Sequence, residues 1–213
     1  MKPFTPDDLL ACYKRGVFPM AESRDDEGFF IVDPEWRCTL PLNAFHVPRR
    51  LARTLRQERF TFTINRDFEA VIDGCAAPGK DREDTWINPD IRALYMELHR
   101  RGTAHSVEAR IDKQLVGGLY GVALGGAFFG ESMFSWETDA SKAALVQLAA
   151  RLKRGGFKLL DAQFITPHLE QFGAQTLPRR IFHALLGAAL DADGNFRALP
   201  AETSGAELVE ILR

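Results

Sequence analysis

Residues Leu115–Ser135 read LVGGLYGVALGGAFFGESMFS, and the reading of this stretch decides the fold. No charged side chain occurs from Val116 to Gly130, six of those positions are glycine, and the run ends at a lone acid, Glu131. An uncharged run of 15 residues falls short of the roughly 20 that a membrane-spanning helix needs. The pattern predicts two buried strands joined at Gly125-Gly126, a pair that accepts the positive φ of a two-residue hairpin turn. Glycine inside a strand weakens it unless a ligand or another backbone must approach closely. The six glycines therefore suggest the floor of a cleft, with Glu131 at the rim of an apolar pocket.

A second stretch, FKLLDAQFITPHLEQFG at Phe157–Gly173, continues the argument. As a strand it places Phe157, Leu159, Asp161 and Gln163 on one face. An acid and an amide two residues apart on a core strand are costly to bury without partners. They either brace a loop as a satisfied polar pair or belong to a site, and their place beside the glycine-rich hairpin favours the site.

The surrounding chain supplies helices and short strands. Pro6 opens a first helix that Gly16 closes, Arg49–Glu58 reads as a basic helix, and Phe60–Asn65 alternates as a strand. Asp67 caps a helix over Phe68–Cys75, and Pro78–Asp81 is an exposed loop. Asn88-Pro89 starts a helix with Ile91, Leu94, Tyr95 and Leu98 on one face, followed by a strand at His105–Ile111. Asp139 caps the helix carrying Leu145, Leu148 and Leu152. Pro178–Leu190 forms the last core helix, Asp191–Gly205 a loop and Ala206–Arg213 a terminal helix. This order argues for an α+β or a three-layer α/β class, a mixed sheet flanked by helices, with a small N-terminal lobe over residues 1–44 and a larger domain over 45–213.

Composition bounds the chemistry. The 213 residues are 46% hydrophobic and 26% charged, ordinary values for a globular chain long enough to bury a core. A net charge of −2 excludes a surface that binds nucleic acid all over. Three scattered cysteines, Cys12, Cys38 and Cys75, form neither a zinc knuckle nor a redox pair and fit a reducing cytoplasm. The start MKPFTPDDLL has no apolar core of signal-peptide type. His46, His99, His105, His168 and His183 show no zinc spacing, so no metal is expected.

The blocks YKRGVFPM (Tyr13–Met20), FEAVIDGCA (Phe68–Ala76), TWI (Thr85–Ile87), LHRRGTAHSVE (Leu98–Glu108) and LVGGLYGV (Leu115–Val122) follow one another along the chain. GESMFS (Gly130–Ser135), ASK (Ala140–Lys142), LLDAQF (Leu159–Phe164), HLEQFGA (His168–Ala174) and PRR (Pro178–Arg180) continue the series. In this order, across roughly Leu9 to Leu190, the chain resembles the bacterial leucyl/phenylalanyl-tRNA–protein transferases. The resemblance implies an N-acetyltransferase-like fold and transfer of Leu or Phe, and less well Met, from aminoacyl-tRNA to the α-amine of proteins beginning with Arg or Lys. It further implies marking of those proteins for N-end-rule degradation, a monomer, and no cofactor.

Residue by residue, the resemblance assigns Asp161 and Gln163 to amine recognition and activation. Asp161 would orient Gln163 or pair directly with the cationic N-terminal residue. Glu131 would read the basic side chain or brace the hairpin, and Leu119, Phe128, Gly130, Met133, Leu145 and Leu160 would form the aminoacyl pocket. Arg49, Arg50, Arg53 and Arg56, with Arg59, offer sequence-independent contacts to tRNA phosphates, or else form a solvated helix face. Lys153, Arg154 and Lys158 are a second basic group. Trp86 stacks on a base or fills the core. Two aromatics usual in the family, which help hold the terminal adenosine, are absent at Ile31 and after Glu108; Phe29, Phe30 or Trp36 would have to compensate. Two other readings share these features: an acyl-coenzyme A N-acyltransferase, disfavoured by the acidic, glycine-free segment Trp136–Ser141, and a non-catalytic tRNA-binding adaptor.

Overall fold

The computed structural model describes residues 4–78 and 84–213; most of the loop expected at Pro78–Asp81 lies outside them. In chain order the elements are α1 (Pro6–Lys14), β1 (Phe18–Met20), β2 (Phe30–Val32), β3 (Trp36–Thr39), α2 (Arg49–Arg56), β4 (Thr61–Ile64), α3 (Phe68–Ala76) and α4 (Pro89–Arg100). There follow β5 (Ala104–Ile111), β6 (Gln114–Leu124), β7 (Ala127–Ser135), α5 (Ala140–Arg154), β8 (Leu159–Gln163), α6 (Pro167–Glu170), β9 (Gln175–Pro178), α7 (Arg179–Leu190) and α8 (Gly205–Ile211). β1 and β2 form a separate ribbon, and the other strands make one sheet of seven in the order β4-β5-β6-β7-β8-β3-β9.

This is the α+β arrangement expected from the sequence. The β6–β7 hairpin turns at Gly125-Gly126, with Gly125 at φ +53°. Local signals also set the helix starts. Thr5 and Asp8 close a reciprocal capping box on α1, and Asn88 accepts from the Ile91 amide at α4. Asp67 and Asp139 stand at the expected helix starts but do not cap them. Their carboxylates go instead to Arg110 and Lys142.

Two cores sandwich the sheet. Leu51, Leu55, Leu145, Leu148 and Leu208 from α2, α5 and α8 cover one face. Leu9, Tyr13, Val71, Tyr95 and Phe182 from α1, α3, α4 and α7 cover the other. Neighbouring residues of β6 divide accordingly, Leu119 facing the first core and Tyr120 the second.

The glycines chiefly admit protein, not ligand, which corrects the cleft-floor expectation. A Cβ on Gly117 would come within 2.6 Å of the Ala140 Cβ, so the start of α5 needs that gap. On Gly125 it would fall 2.4 Å from the Leu190 carbonyl oxygen at the end of α7. Of the six, only Gly130 lines the main cleft.

All pairings in the large sheet are antiparallel except β7–β8, which runs parallel over only Ala127–Phe129 against Leu159–Asp161. Beyond Phe129, β7 continues to Ser135 without β8 beside it, and the two strands diverge into an open wedge. On its other edge β8 pairs with β3, matching Thr39 to Asp161 and Cys38 to Gln163. Residues Trp36–Thr39, within the stretch expected as an N-terminal lobe, thus belong to the large sheet.

Two glycines at positive φ provide a controlled test. Gly102, at φ +77°, has open space around its missing Cβ, whereas Gly125 is crowded. We expect Gly102→Ala to lose about 1–2 kcal/mol, the cost of a left-handed L residue. Gly125→Ala should lose roughly 1–3 kcal/mol more by overpacking. Equal losses in urea unfolding would show that the end of α7 yields freely.

Candidate active site

Asp161 sits on the last stretch of a core strand and is completely buried. Its partner is Arg37 of β3, equally buried, whose Nε and Nη2 donate to Asp161 Oδ1 and Oδ2 at 2.8 and 2.7 Å. This two-pronged geometry is the strong form of the arginine–carboxylate contact. Arg37 Nη1 donates to the Gly16 carbonyl at 2.9 Å. Its guanidinium lies 4.5 Å from the ring centroids of both Phe18 and Phe182, which shield it from water. Both Asp161 oxygens are thus engaged by Arg37.

Gln163 follows in a left-handed conformation, φ +55°, which ends β8 and turns its side chain into the wedge. Its backbone amide donates to Asp161 Oδ1 at 3.1 Å. Gln163 Nε2 stands 3.4 Å from both Asp161 Oδ2 and Glu131 Oε1, at the long end of hydrogen-bonding range. An amide flanked by two carboxylates turns its nitrogen towards them, so its oxygen faces away.

Glu131 projects from β7 where that strand leaves β8. Tyr95 Oη donates to Glu131 Oε2 at 2.7 Å, and Tyr13 Oη lies 2.5 Å from Tyr95 Oη. Burial pushes the Glu131 carboxyl up to about 7, with Asp161 adding to the rise while Tyr95, Tyr13 and Arg37 oppose it. Burial, reinforced by Glu131, holds both tyrosine hydroxyls well above their ordinary range. The Cys38 thiol beside Asp161 is likewise raised, to about 11, chiefly by burial.

Glu131, Asp161 and Gln163 line one end of a cleft of about 540 Å³ that fills the β7–β8 wedge. Leu119, Gly130, Met133, Leu145 and Leu160 line it, and Ser135, Ser141 and His168 make a polar far end. Phe128 is the exception. It lies fully in the core, its ring stacked 5.6 Å from Phe196, and does not reach the cleft. A smaller pocket of about 60 Å³ adjoins on the other side, where Phe18, Met20, Trp86 and Phe164 meet Glu131 and Gln163. Trp86 therefore packs on the core and also lines a cavity.

α2 buries Leu51, Ala52 and Leu55 and exposes Arg49, Arg50, Arg53 and Arg56. None of the four has an ion-pair partner among the described residues, whereas Arg59 is engaged with Glu137 at 3.0 Å. Phe30 and Trp36 remain exposed, while Phe29 packs on Phe4. Among the described residues no group of three His, Cys, Asp or Glu side chains is arranged to hold a metal ion.

Residues 39–187 match the family model described as leucyl/phenylalanyl-tRNA protein transferase, and residues 3–34 match the model of that family's N-terminal domain. The chain belongs to this family. A relative named leucyl/phenylalanyl-tRNA–protein transferase from Phenylobacterium zucineum (strain HLK1) is 58% identical over 97% of this chain and 94% of its own length. One of the same name from Maricaulis maris (strain MCS10) is 54% identical over 99% and 97%. Likenesses among solved structures are remote. A ribosomal-protein-alanine N-acetyltransferase from Brucella melitensis biovar Abortus 2308 aligns with a TM-score of 0.38 and 17% identity, covering 53% of this chain and 84% of that one. The C-terminal domain of a putative lysylphosphatidylglycerol synthetase from Agrobacterium fabrum gives 0.40 and 15%, covering 87% and 56%.

Arg37 escaped the sequence reading. Its one signal is a charge inside the short apolar strand WRCT, which, like Asp161, needs an opposite charge if buried. Removing one partner of such a pair costs about 3–5 kcal/mol. We expect that loss for Arg37→Met in urea unfolding, with Arg37→Met/Asp161→Leu losing less than the sum of the two single changes. Additive losses would mean that the two charges are not coupled.

Proposed function

We propose that this chain passes a leucyl or phenylalanyl group from the 3′ end of tRNA to the α-amine of proteins beginning with Arg or Lys. The observation that carries the reading is the apolar cleft ending at Gln163 and its two carboxylates, in a chain whose family is named for this transfer. The donor is already an activated ester, so no covalent enzyme intermediate is needed. A free α-amine has a pKa near 7.7–8.0, and a useful fraction is neutral at neutral pH. What remains is to orient the amine, remove one proton and keep the ester carbonyl in place.

Gln163 supplies orientation. Asp161, fixed by Arg37, holds the Gln163 amide so that its oxygen accepts a hydrogen from the amine. Leu119, Met133, Leu145 and Leu160 receive the aminoacyl side chain, Met133 adapting to branched or aromatic shapes. Such a wall discriminates by only about 1–3 kcal/mol per methylene, so Met is admitted less well and small or polar groups poorly.

The exposed arginines of α2 meet the tRNA backbone, which suits an enzyme that accepts several tRNAs. The same reading has the protein acting in the cytoplasm as a monomer and marking its products for N-end-rule degradation. Among the described residues no helix is long and apolar enough to cross a membrane. The start of α5 argues against coenzyme A as donor. The Ala140 and Ser141 amides are taken by the Glu137 carbonyl and Ser135 Oγ, each at 3.1 Å, leaving no cradle for a pyrophosphate.

Phe-tRNA and Leu-tRNA should both donate to an Arg-initiated peptide in a purified assay. Transfer to Asp- or Glu-initiated peptides with none to Arg would overturn the acceptor assignment, and tRNA binding with no transfer would make the chain an adaptor. Replacing Arg49, Arg53 and Arg56 by Ala should weaken tRNA binding and flatten its salt dependence. The log–log slope should shrink by about 0.7–0.9 for each phosphate that is no longer neutralised. An unchanged slope would make α2 a solvated face.

A further inference from the structure

Transfer of an acyl group to an amine leaves one proton to place. As the C–N bond forms, the amine nitrogen carries one hydrogen too many, and the departing ribose oxygen needs one. Gln163 cannot take it, because an amide is a very weak base. Asp161 stands behind Gln163 with both oxygens on the Arg37 guanidinium. The Tyr13 and Tyr95 hydroxyls are locked to each other and to Glu131, and His168 lines the far end of the cleft.

Glu131 is the other carboxylate on the cleft wall, and it has no cation at ion-pair distance among the described residues. It lines both the large cleft and the small pocket beside it, as Gln163 does, and so stands between the two cavities. Tyr95 occupies its Oε2, while Oε1 faces the Gln163 amide at 3.4 Å.

We propose that Glu131 is the proton acceptor of the transfer step, taking a proton from the α-amine as the C–N bond forms and returning it to the ribose oxygen as the ester C–O bond breaks. The step balances. One C–N bond replaces one C–O bond, one proton moves from nitrogen to oxygen, and the carboxylate begins and ends ionised. The inference rests on the aminoacyl-transfer reading and adds the base to it.

The surroundings fit the task. Glu131 is faced by Tyr95 from α4, Tyr13 from α1, Asp161 and Gln163 from β8, and Arg37 from β3. Burial outweighs the tyrosines and the arginine and brings the carboxyl to about 7. A base in that range is matched to an amine near 7.7–8.0, and an ordinary glutamate would be too weak.

The test is steady-state transfer from Phe-tRNA to an Arg-initiated peptide as a function of pH. In the unaltered enzyme, log kcat/KM should fall towards acid with a slope approaching two, because both the amine and Glu131 must be free of protons. Glu131→Gln should reduce that slope to one and lower kcat at saturating peptide by about 10²–10⁴-fold. Tyr95→Phe removes a hydrogen bond to the charged form and should move the acid limb to higher pH, which a merely bracing hydroxyl would not do. If Glu131 only reads the acceptor's basic side chain, Glu131→Gln will raise KM with kcat near normal, and that result, or a retained slope of two, overturns the proposal. Should Glu131→Gln fail to bind Phe-tRNA, the Tyr95→Phe profile decides alone: a moved limb supports the base and an unmoved one ends it. An unaltered enzyme with no transfer at all would instead sink the transferase reading itself.

Discussion

A charge buried in the middle of a sheet has to be answered, and Arg37 answers Asp161. That one pairing joins the separate parts of the chain. It links β3 to β8, reaches back to the Gly16 carbonyl after α1, and is clasped between Phe18 of β1 and Phe182 of α7. Replacing such a pair by apolar side chains of similar volume is often neutral or stabilising, so its net energy is not what makes it matter. What it fixes is position. The arrangement that sets β3 beside the end of β8 satisfies both charges, and it also carries Gln163 into the wedge.

The wedge itself follows from backbone pairing that stops. β7 and β8 share only three register pairs, Ala127–Phe129 with Leu159–Asp161, before they separate. The left-handed turn at Gln163 ends β8, and the register shift between Tyr120 and Gly121 bends the β6–β7 ribbon at the same level. α5 then closes one side with Leu145 and Leu148. A cavity made in this way is preformed by the sheet, and its polar groups stand on strands, which hold position better than loops.

The sequence made plain what is local. Gly125-Gly126 announced its turn, Asn88-Pro89 its helix, and the acid–amide spacing at Asp161 and Gln163 its polar strand. What it hid is long-range. Arg37 and Asp161 lie 124 positions apart, and nothing near either residue names the other. The glycines show the same limit, because a missing side chain reveals that something comes close without revealing what. At Gly117 and Gly125 it is α5 and the end of α7. The resemblance assigned Phe128 to the pocket, yet its ring packs away from the wedge on Phe196. Asp67 and Asp139 read as caps until arginine and lysine side chains, invisible to a local pattern, claimed them.

Three ionisable groups then divide the labour at one amide. Gln163 touches two carboxylates at equal distance, but among the described residues one guanidinium pairs there, and the fold commits it to Asp161. Glu131 is left with hydroxyl and amide donors only, in a setting where burial dominates its affinity for protons. Two acids so placed have unlike surroundings, Asp161 paired to a guanidinium and Glu131 raised by burial to about 7. The asymmetry needs no special chemistry at Glu131. It follows from which of the two acids Arg37 of β3 reaches.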